Sequence, residues 1–217
     1  ISQNLPSTIM QNFAKVTTTT TDTVTGIFDS NAALFTFNPK EITVDNEDPG
    51  FRIIESNQKN KLQSFFKKES EDKYKNLNFW MPPSKWTATI GVNYYGDYIN
   101  SAVYKKSGSG SNKTEWTTQI QIPGFYEVFV YTSELPMMGW RRRGSEEKKM
   151  QYYTVKHDDG EEEISVETGR GRQGWMTLGS FYFSAGEAKI TLSDKGSESN
   201  QIIFADAVKW VYTNNNK

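Results

Sequence analysis

The chain holds a single imidazole, His157, and no cysteine, so groups able to serve as base, nucleophile or thiolate ligand are few. A Ser-His-Asp arrangement would have to be built on one ring placed beside an Asp-Gly turn, where a structural or incidental role is the simpler reading. The sequence contains no H-E-x-x-H, no nucleophile elbow and no phosphate-cradling Gly loop. Nor does the order of its Asp and Glu residues signal a paired acid and base for glycoside cleavage, whose spacing is spatial. The expectation is therefore that the chain is not an enzyme and has no catalytic residue.

Binding chemistry is better supplied. A pyranose presents an apolar C–H face and a ring of hydroxyls, so a surface grips it with an aromatic ring and polar side chains aimed at the rim. Tyr94, Tyr95 and Tyr98 qualify as platforms because Gly91 and Gly96 punctuate their segment and predict a loop. Trp140 qualifies because Gly139 precedes it and Arg141, Arg142 and Arg143 follow. Those guanidinium groups, joined by Arg170 and Arg172 of a Gly-Arg-Gly-Arg loop, would clamp the carboxylates or sulfates of an acidic polysaccharide. The plainer reading of the run is a solvated loop with local ion pairs to Glu146 and Glu147. Trp116, Trp175 and Trp210 fall on strand patterns and are expected to be buried.

The elements that would position these residues are strands. Phe181 and Phe183 alternate with Tyr182, and Ala188, Ile190 and Leu192 alternate with Lys189 and Thr191, with Ser184-Ala185-Gly186 as a tight turn between the runs. Ile202 to Tyr212 is apolar on both parities, which predicts a strand in the middle of a sheet. Trp116 to Ile122 and Phe125 to Tyr131 read as adjacent antiparallel strands across Pro123-Gly124. Asp159-Gly160 joins Tyr153–His157 to Ile164–Val166 as a hairpin. Ala33–Phe37 and Glu41–Val44 read as short strands, and Asp48-Pro49-Gly50 as a turn. Ser7 would cap a short helix carrying Ile9, Phe13 and Val16, and Lys15 to Gly26 reads as a Thr-rich linker or edge strand. Ser56 to Lys75 reads as a surface helix or mobile loop. The fold class expected is all-β: a jelly-roll-like antiparallel β-sandwich with a short N-terminal helical lead and a polar insertion.

The blocks Ile42–Phe51 (ITVDNEDPGF), Tyr94–Tyr98 (YYGDY), Pro123–Tyr131, Tyr152–Glu167, Gly174–Asp194 and Ile202–Tyr212 resemble the golvesin and xanthan-lyase carbohydrate-binding-like domain family. Members of that family end in a Gly-Trp-x-x-Leu-Gly strand, a Phe-x-Phe-x-Ala-Gly hairpin and an Ala-Asp-Ala-Val strand, and order and spacing agree over roughly 42–212. The resemblance implies a sandwich over 41–213 behind a lead and linker at 1–40, with an insertion at about 56–112. It also implies export to the periplasm, cell surface or medium of a bacterium of Bacteroidetes type. No cofactor is implied, but related sandwiches place an acidic residue on the first strand and another on the last around a structural Ca²⁺, a role that would fall to Asp45 and Asp206. The competing reading is that both carboxylates accept backbone hydrogen bonds at sheet ends.

Bulk properties fit this reading. A chain of 217 residues can bury one good core, and a mean hydropathy of −0.69 describes a soluble chain. Twenty-five Lys and Arg against 26 Asp and Glu leave a net charge of −1, which provides no electrostatic drive toward nucleic acid. No run approaches the ~18 apolar residues of a membrane span. The opening Ile1-Ser2-Gln3 lacks a signal-peptide pattern, so any export signal is expected upstream or removed. The function expected is a non-catalytic accessory module that holds its parent protein on a polysaccharide or cell-envelope glycan. The alternative is a structural domain that packs on a neighbouring catalytic or adhesin domain of the parent polypeptide and has no glycan site.

Overall fold

The computed structural model describes residues 8–11, 34–37, 40–56, 73–78, 80–133, 148–169 and 171–213. Fourteen strands are assigned there: β1 (Thr8–Gln11), β2 (Leu34–Phe37), β3 (Glu41–Val44), β4 (Phe51–Ile54), β5 (Thr87–Ile90), β6 (Ser101–Lys106), β7 (Lys113–Ile120), β8 (Gly124–Thr132), β9 (Lys149–His157), β10 (Gly160–Thr168), β11 (Gly174–Phe183), β12 (Gly186–Gly196), β13 (Ile202–Ala205) and β14 (Val208–Thr213). They form a five-stranded sheet β10-β9-β12-β7-β4, a four-stranded sheet β11-β8-β14-β3, a three-stranded sheet β13-β6-β5 and the pair β1-β2. Every ladder between these strands is antiparallel. The architecture is an all-β, jelly-roll-like sandwich.

Period-two alternation explains the core. Tyr126, Val128 and Val130 of β8 are buried while Phe125 and Glu127 between and beside them are exposed. On the facing sheet Tyr153 and Val155 of β9 and Ala188, Ile190 and Leu192 of β12 point inward. Trp116 and Trp210 are fully buried, and both belong to the same apolar cluster as these residues. Burying a large side chain of this kind contributes about 1.5–3 kcal/mol, so the two sheet faces hold each other by area rather than by any single contact. A smaller cluster of Tyr94, Ala102, Tyr104, Ile202 and Phe204 lies under the three-stranded sheet.

Alternation predicts which face of a strand is dry but not which strand lies beside it, and three expectations change for that reason. β7 and β8 are not neighbours: Pro123 leads from the five-stranded sheet into the four-stranded one. The Ser184-Ala185 turn likewise carries the chain from β11 back to β12 in the other sheet, so these strands do not pair as a hairpin. The apolar run Ile202–Tyr212 is two strands, because the chain changes sheets at Asp206-Ala207. Only its second half, β14, lies mid-sheet, between β8 and β3. By contrast β9 and β10 form the expected hairpin, with Gly160 at φ 130°, a conformation L side chains rarely adopt.

At the N-terminus, Thr8–Gln11 is a strand paired with Leu34–Phe37 and not the start of a helix. Two of its four residues, Thr8 and Ile9, are β-branched, and a three-point helical pattern yields to an available strand partner. The remainder of that segment, with Lys15–Gly26, lies outside the described residues, as does 57–72 of the polar stretch. Further along the stretch read as an insertion, β5 and β6 pair with each other and β6 with β13, and Trp86 and Val103 join the main core.

Candidate functional site

Strand register brings several loops to one end of the sandwich. Val44, Val208 and Val130 lie side by side across β3, β14 and β8, and Thr132 pairs with Gly174 of β11. The β3–β4 turn, the Asp206 corner, Ser133 and the Arg172-Gln173 segment therefore emerge together. The β5–β6 loop joins them, because Ser101 Oγ donates to Glu47 Oε1 at 2.6 Å and Asn46 Nδ2 donates to Ser101 Oγ at 2.7 Å.

Between the β3–β4 turn and the β5–β6 loop is a cavity of about 320 Å³, lined by Thr43, Asp45, Glu47, Asp48, Tyr95, Asp97, Tyr98 and Ile99. Its volume lies at the lower end of the range of small-molecule sites, ~300–1,000 Å³. The turn is set by its own carboxylates. Asp45 N–H donates to Asp48 Oδ2 at 2.8 Å, and Asp48 N–H donates to the Asp45 carbonyl at 3.0 Å. The loop is held by Gly91 N–H to the Asn100 carbonyl at 3.0 Å and by Asn100 Nδ2 to the Tyr94 carbonyl at 2.8 Å. Gly96 supplies the sharp bend at φ 148°, where a Cβ would stand 2.1 Å from the Ile99 carbonyl oxygen.

That bend separates the tyrosines. Tyr98 is 97% exposed. Tyr95 is half-buried and braced by Trp175 and Tyr131, with ring centroids 5.1 and 5.7 Å away. Tyr94 is not a platform: it is buried against Phe204 at 5.9 Å, and burial pushes its phenol above the ordinary range. Trp116 and Trp210 are buried as expected, whereas Trp175 is half-exposed, with Lys209 Nζ 4.6 Å from its ring centre.

Arg172 is exposed and paired with Glu167 at 3.3 Å, while its carbonyl accepts the Thr132 hydroxyl at 2.7 Å. Its neighbour Gln173 reaches the Asn93 carbonyl at 3.4 Å, at the cavity end of the sandwich. Trp140, Arg141, Arg142, Arg143 and Arg170 lie outside the described residues. His157 packs on Phe181 at 5.0 Å, and its Nδ1 accepts the Asp159 N–H at 3.3 Å.

Asp206 is 2% exposed. Its Oδ2 accepts Tyr95 N–H at 3.2 Å and the Ser133 hydroxyl at 3.2 Å, its carbonyl accepts Trp116 Nε1 at 3.0 Å, and its Oδ1 has no hydrogen-bond partner among the described residues. Burial, with the Asp45 charge added, raises its carboxyl well above the usual range against the pull of the Tyr95 N–H. Asp45 is likewise pushed up to about 7 by burial, against the pull of the Asn46 N–H and reinforced by Asp48, Glu47 and Asp97. Calcium takes six to eight oxygens. Among the described residues no group of three or more acidic or imidazole side chains is placed to hold a metal, so Asp45 and Asp206 do not make a calcium cage by themselves.

The cavity members that sequence reasoning missed are Thr43, Glu47, Asp48, Asp97 and Ile99. Two had a signal: Asp97 stands between Gly96 and Tyr98, and Asp48 opens the Asp-Pro-Gly turn.

An antiparallel sandwich with a polar, tyrosine-walled cavity among its end loops belongs to the jelly-roll-like class of β-sandwich modules. Residues 73–212 match the Golvesin C-terminal domain, and the chain belongs to that family. Among solved structures it is similar to Paenibacillus xanthan lyase, at 20% identity and a TM-score of 0.54, over 84% of this chain and 14% of that one. The chain thus spans about one seventh of the lyase, and the likeness is one of fold. A family 35 carbohydrate binding module from Clostridium thermocellum also aligns, at 13% identity and a TM-score of 0.44, over 78% of this chain and 98% of that one. No curated protein matches in sequence.

Proposed function

We propose that this sandwich is a non-catalytic, carbohydrate-binding-like accessory module of an exported bacterial protein, holding that protein on a polysaccharide or cell-envelope glycan. Residues 41–213 act as the binding unit and 1–40 as its lead. The cavity between the β3–β4 turn and the β5–β6 loop is the glycan site. The observation that carries this reading is the pair Tyr95 and Tyr98: one ring is fixed in the wall by Trp175 and Tyr131, the other is offered to solvent, and both line a cavity with a hydrogen-bonding rim. A ring laid on a sugar C–H face, beside acceptors for hydroxyls, is the minimal chemistry of glycan recognition. Family membership supports the reading, and no helix among the described residues is long and apolar enough to cross a membrane.

Affinity of a single module in the micromolar to millimolar range corresponds to about −8 to −4 kcal/mol, and several modules on one parent would multiply it. The test is a glycan array with the wild type, Tyr98→Ala and Tyr95→Ala. Retention of one glycan class, weakened by both substitutions at unchanged melting temperature, supports the proposal. Absence of retention for every glycan sinks it.

One observation favours a second reading, an interaction domain without a glycan site. Phe125 and Tyr182, 44% and 36% exposed, meet edge to face at 5.4 Å on the outer surface of the four-stranded sheet, where a neighbouring domain would cover them. Cross-linking from a probe at Tyr182 into another domain of the parent, with no glycan retained, would favour it.

A further inference from the structure

The cavity adjoins the outer face of the four-stranded sheet through two of its own residues. Thr43 lies in a cross-strand row with Lys209, Phe129 and Thr177. Tyr95 packs on Tyr131 of β8 and Trp175 of β11. Because Tyr126, Val128 and Val130 of β8 fill the core, period two turns Phe125, Glu127, Phe129 and Tyr131 outward. Cavity and sheet face are thus continuous.

Braced aromatic rings stand at both ends of this face. At the cavity end Tyr131 and Trp175 meet edge to face at 5.3 Å, with Tyr95 against both. At the far end the exposed pair Phe125 and Tyr182 meets edge to face at 5.4 Å. In each cluster an edge-on ring fixes the face of its neighbour. From Phe125 to Tyr131, β8 advances about 20 Å at ~3.3 Å per residue, room for about four hexose units. The stretch between the clusters is polar. Glu127 is exposed and lies beside the exposed Ser180 of β11. Lys209 pairs with Glu41 Oε1 at 3.4 Å, and its Nζ stands 5.8 Å from the Phe129 ring centre.

That order of groups selects the occupant. The core of a protein–protein interface is depleted of charge, whereas Glu127 and Lys209 stand in the middle of this face between its aromatic ends. A saccharide chain asks for the observed order: rings at intervals for its C–H faces, and hydrogen-bonding side chains between them for its hydroxyls. A mono- or disaccharide seated in the cavity would leave the Phe125–Tyr182 pair untouched. Resting on the glycan-binding reading above, we propose that the ligand is a linear polysaccharide chain of about four or more units, held in the cavity by Tyr98 and Tyr95 and running along β8 to a second anchor at Tyr182 and Phe125.

The test is calorimetric titration of the wild type with the disaccharide and the hexasaccharide of cellulose, linear mannan, linear galactan and polygalacturonate. In at least one series the hexasaccharide is expected to bind about twentyfold tighter or more, beyond the about fivefold gain that overlapping registers alone provide. Tyr182→Thr removes the far ring and keeps strand propensity. It is expected to bring the hexasaccharide close to the affinity of the disaccharide, with the melting temperature as the control for folding. In amide spectra the hexasaccharide should shift β8 from Tyr131 to Phe125, and the disaccharide only the cavity loops. A hexasaccharide gain no greater than the register effect overturns the inference while the cavity site stands, and leaves the Phe125–Tyr182 surface to a neighbouring domain. A larger gain that survives both Tyr182→Thr and Phe125→Thr overturns it as well. If no saccharide of either length binds, the glycan-binding reading has failed with it.

Discussion

The Tyr95 N–H donates to Asp206 Oδ2 at 3.2 Å, so the wall of the cavity hangs from the corner where the chain leaves one sheet for another. The same carboxylate oxygen receives Ser133, and the Asp206 carbonyl receives the indole of Trp116. One residue therefore joins the main core, the end of β8 and the β5–β6 loop.

Asp206→Ala is accordingly expected to cost more than its small volume suggests. It leaves the Tyr95 N–H without its acceptor and the Ser133 hydroxyl with only the Asn93 carbonyl at 3.3 Å, and an unsatisfied buried polar group costs about 1–3 kcal/mol. Denaturant unfolding measures the loss, and hydrogen exchange should show the Tyr95 amide losing protection first. Asp206→Asn, which keeps an oxygen acceptor, should be milder. Equal destabilisation by both would contradict this role.

The buried pair Lys105–Asp194 predicts an acid-side signature. Both side chains are inaccessible, and Asp194 also accepts Asn112 Nδ2 at 3.0 Å and Gly110 N–H at 2.7 Å. Burial pushes its carboxyl up, but Lys105, Asn112 and Gly110 outweigh that and hold it below the ordinary value. A depressed folded pKa means that the unfolded chain binds the proton more readily. The stabilisation is complete above the unfolded value of about 3.9 and disappears as pH falls through the lower folded value. Lys105→Met alone, which strands a buried carboxylate, should cost about 3–5 kcal/mol near neutrality. The double variant Lys105→Met with Asp194→Leu should recover much of that and lose less stability between pH 4 and pH 2. Urea unfolding as a function of pH measures both.

Gly96→Ala addresses the loop without touching either sheet. At φ 148°, with the new Cβ against the Ile99 carbonyl, the bend that separates Tyr95 from Tyr98 cannot keep its shape. Glycan affinity is expected to fall by about tenfold or more while the global melting temperature moves by only a few degrees. A loss of stability with unchanged affinity would place the binding surface elsewhere.

Asp45 and Asp206 supply two carboxylates against the six to eight oxygens that calcium takes, and chelation is expected to leave the melting temperature unchanged. A rise of several degrees on adding calcium, abolished by Asp206→Asn, would show that backbone and water oxygens complete the coordination.

How far the sequence speaks is visible in particular residues. Period-two alternation correctly orients Tyr126, Val128 and Val130, or Ala188, Ile190 and Leu192, because one strand face must be dry whatever its neighbours are. It is silent on the partner: β7 with β8, and β11 with β12, read as adjacent strands yet lie in different sheets. The break at Asp206 was hidden inside an apolar run because its cause, acceptance of Tyr95 and Ser133 donors, lies 111 and 73 residues away in sequence. In the loop, composition found three tyrosines but not which way each faces. Outside regular strands no period assigns Tyr94 inward and Tyr98 outward; Gly96 and the Phe204 contact decide it. For Asp45 the resemblance offers calcium and the residues offer a backbone hydrogen bond, whereas its meeting with Glu47, Asp48 and Asp97 follows from the crossing of two loops joined by the Ser101–Glu47 hydrogen bond.

The most direct measurement is titration of the isotope-labelled protein with whichever glycan an array selects, followed by amide chemical shifts. The account predicts that the largest shifts fall on Thr43 to Asp48 and on Tyr95 to Ile99, and that Tyr98→Ala weakens binding by about tenfold at unchanged stability. Shifts confined to the Phe125–Tyr182 surface, or affinity indifferent to Tyr98, would contradict it.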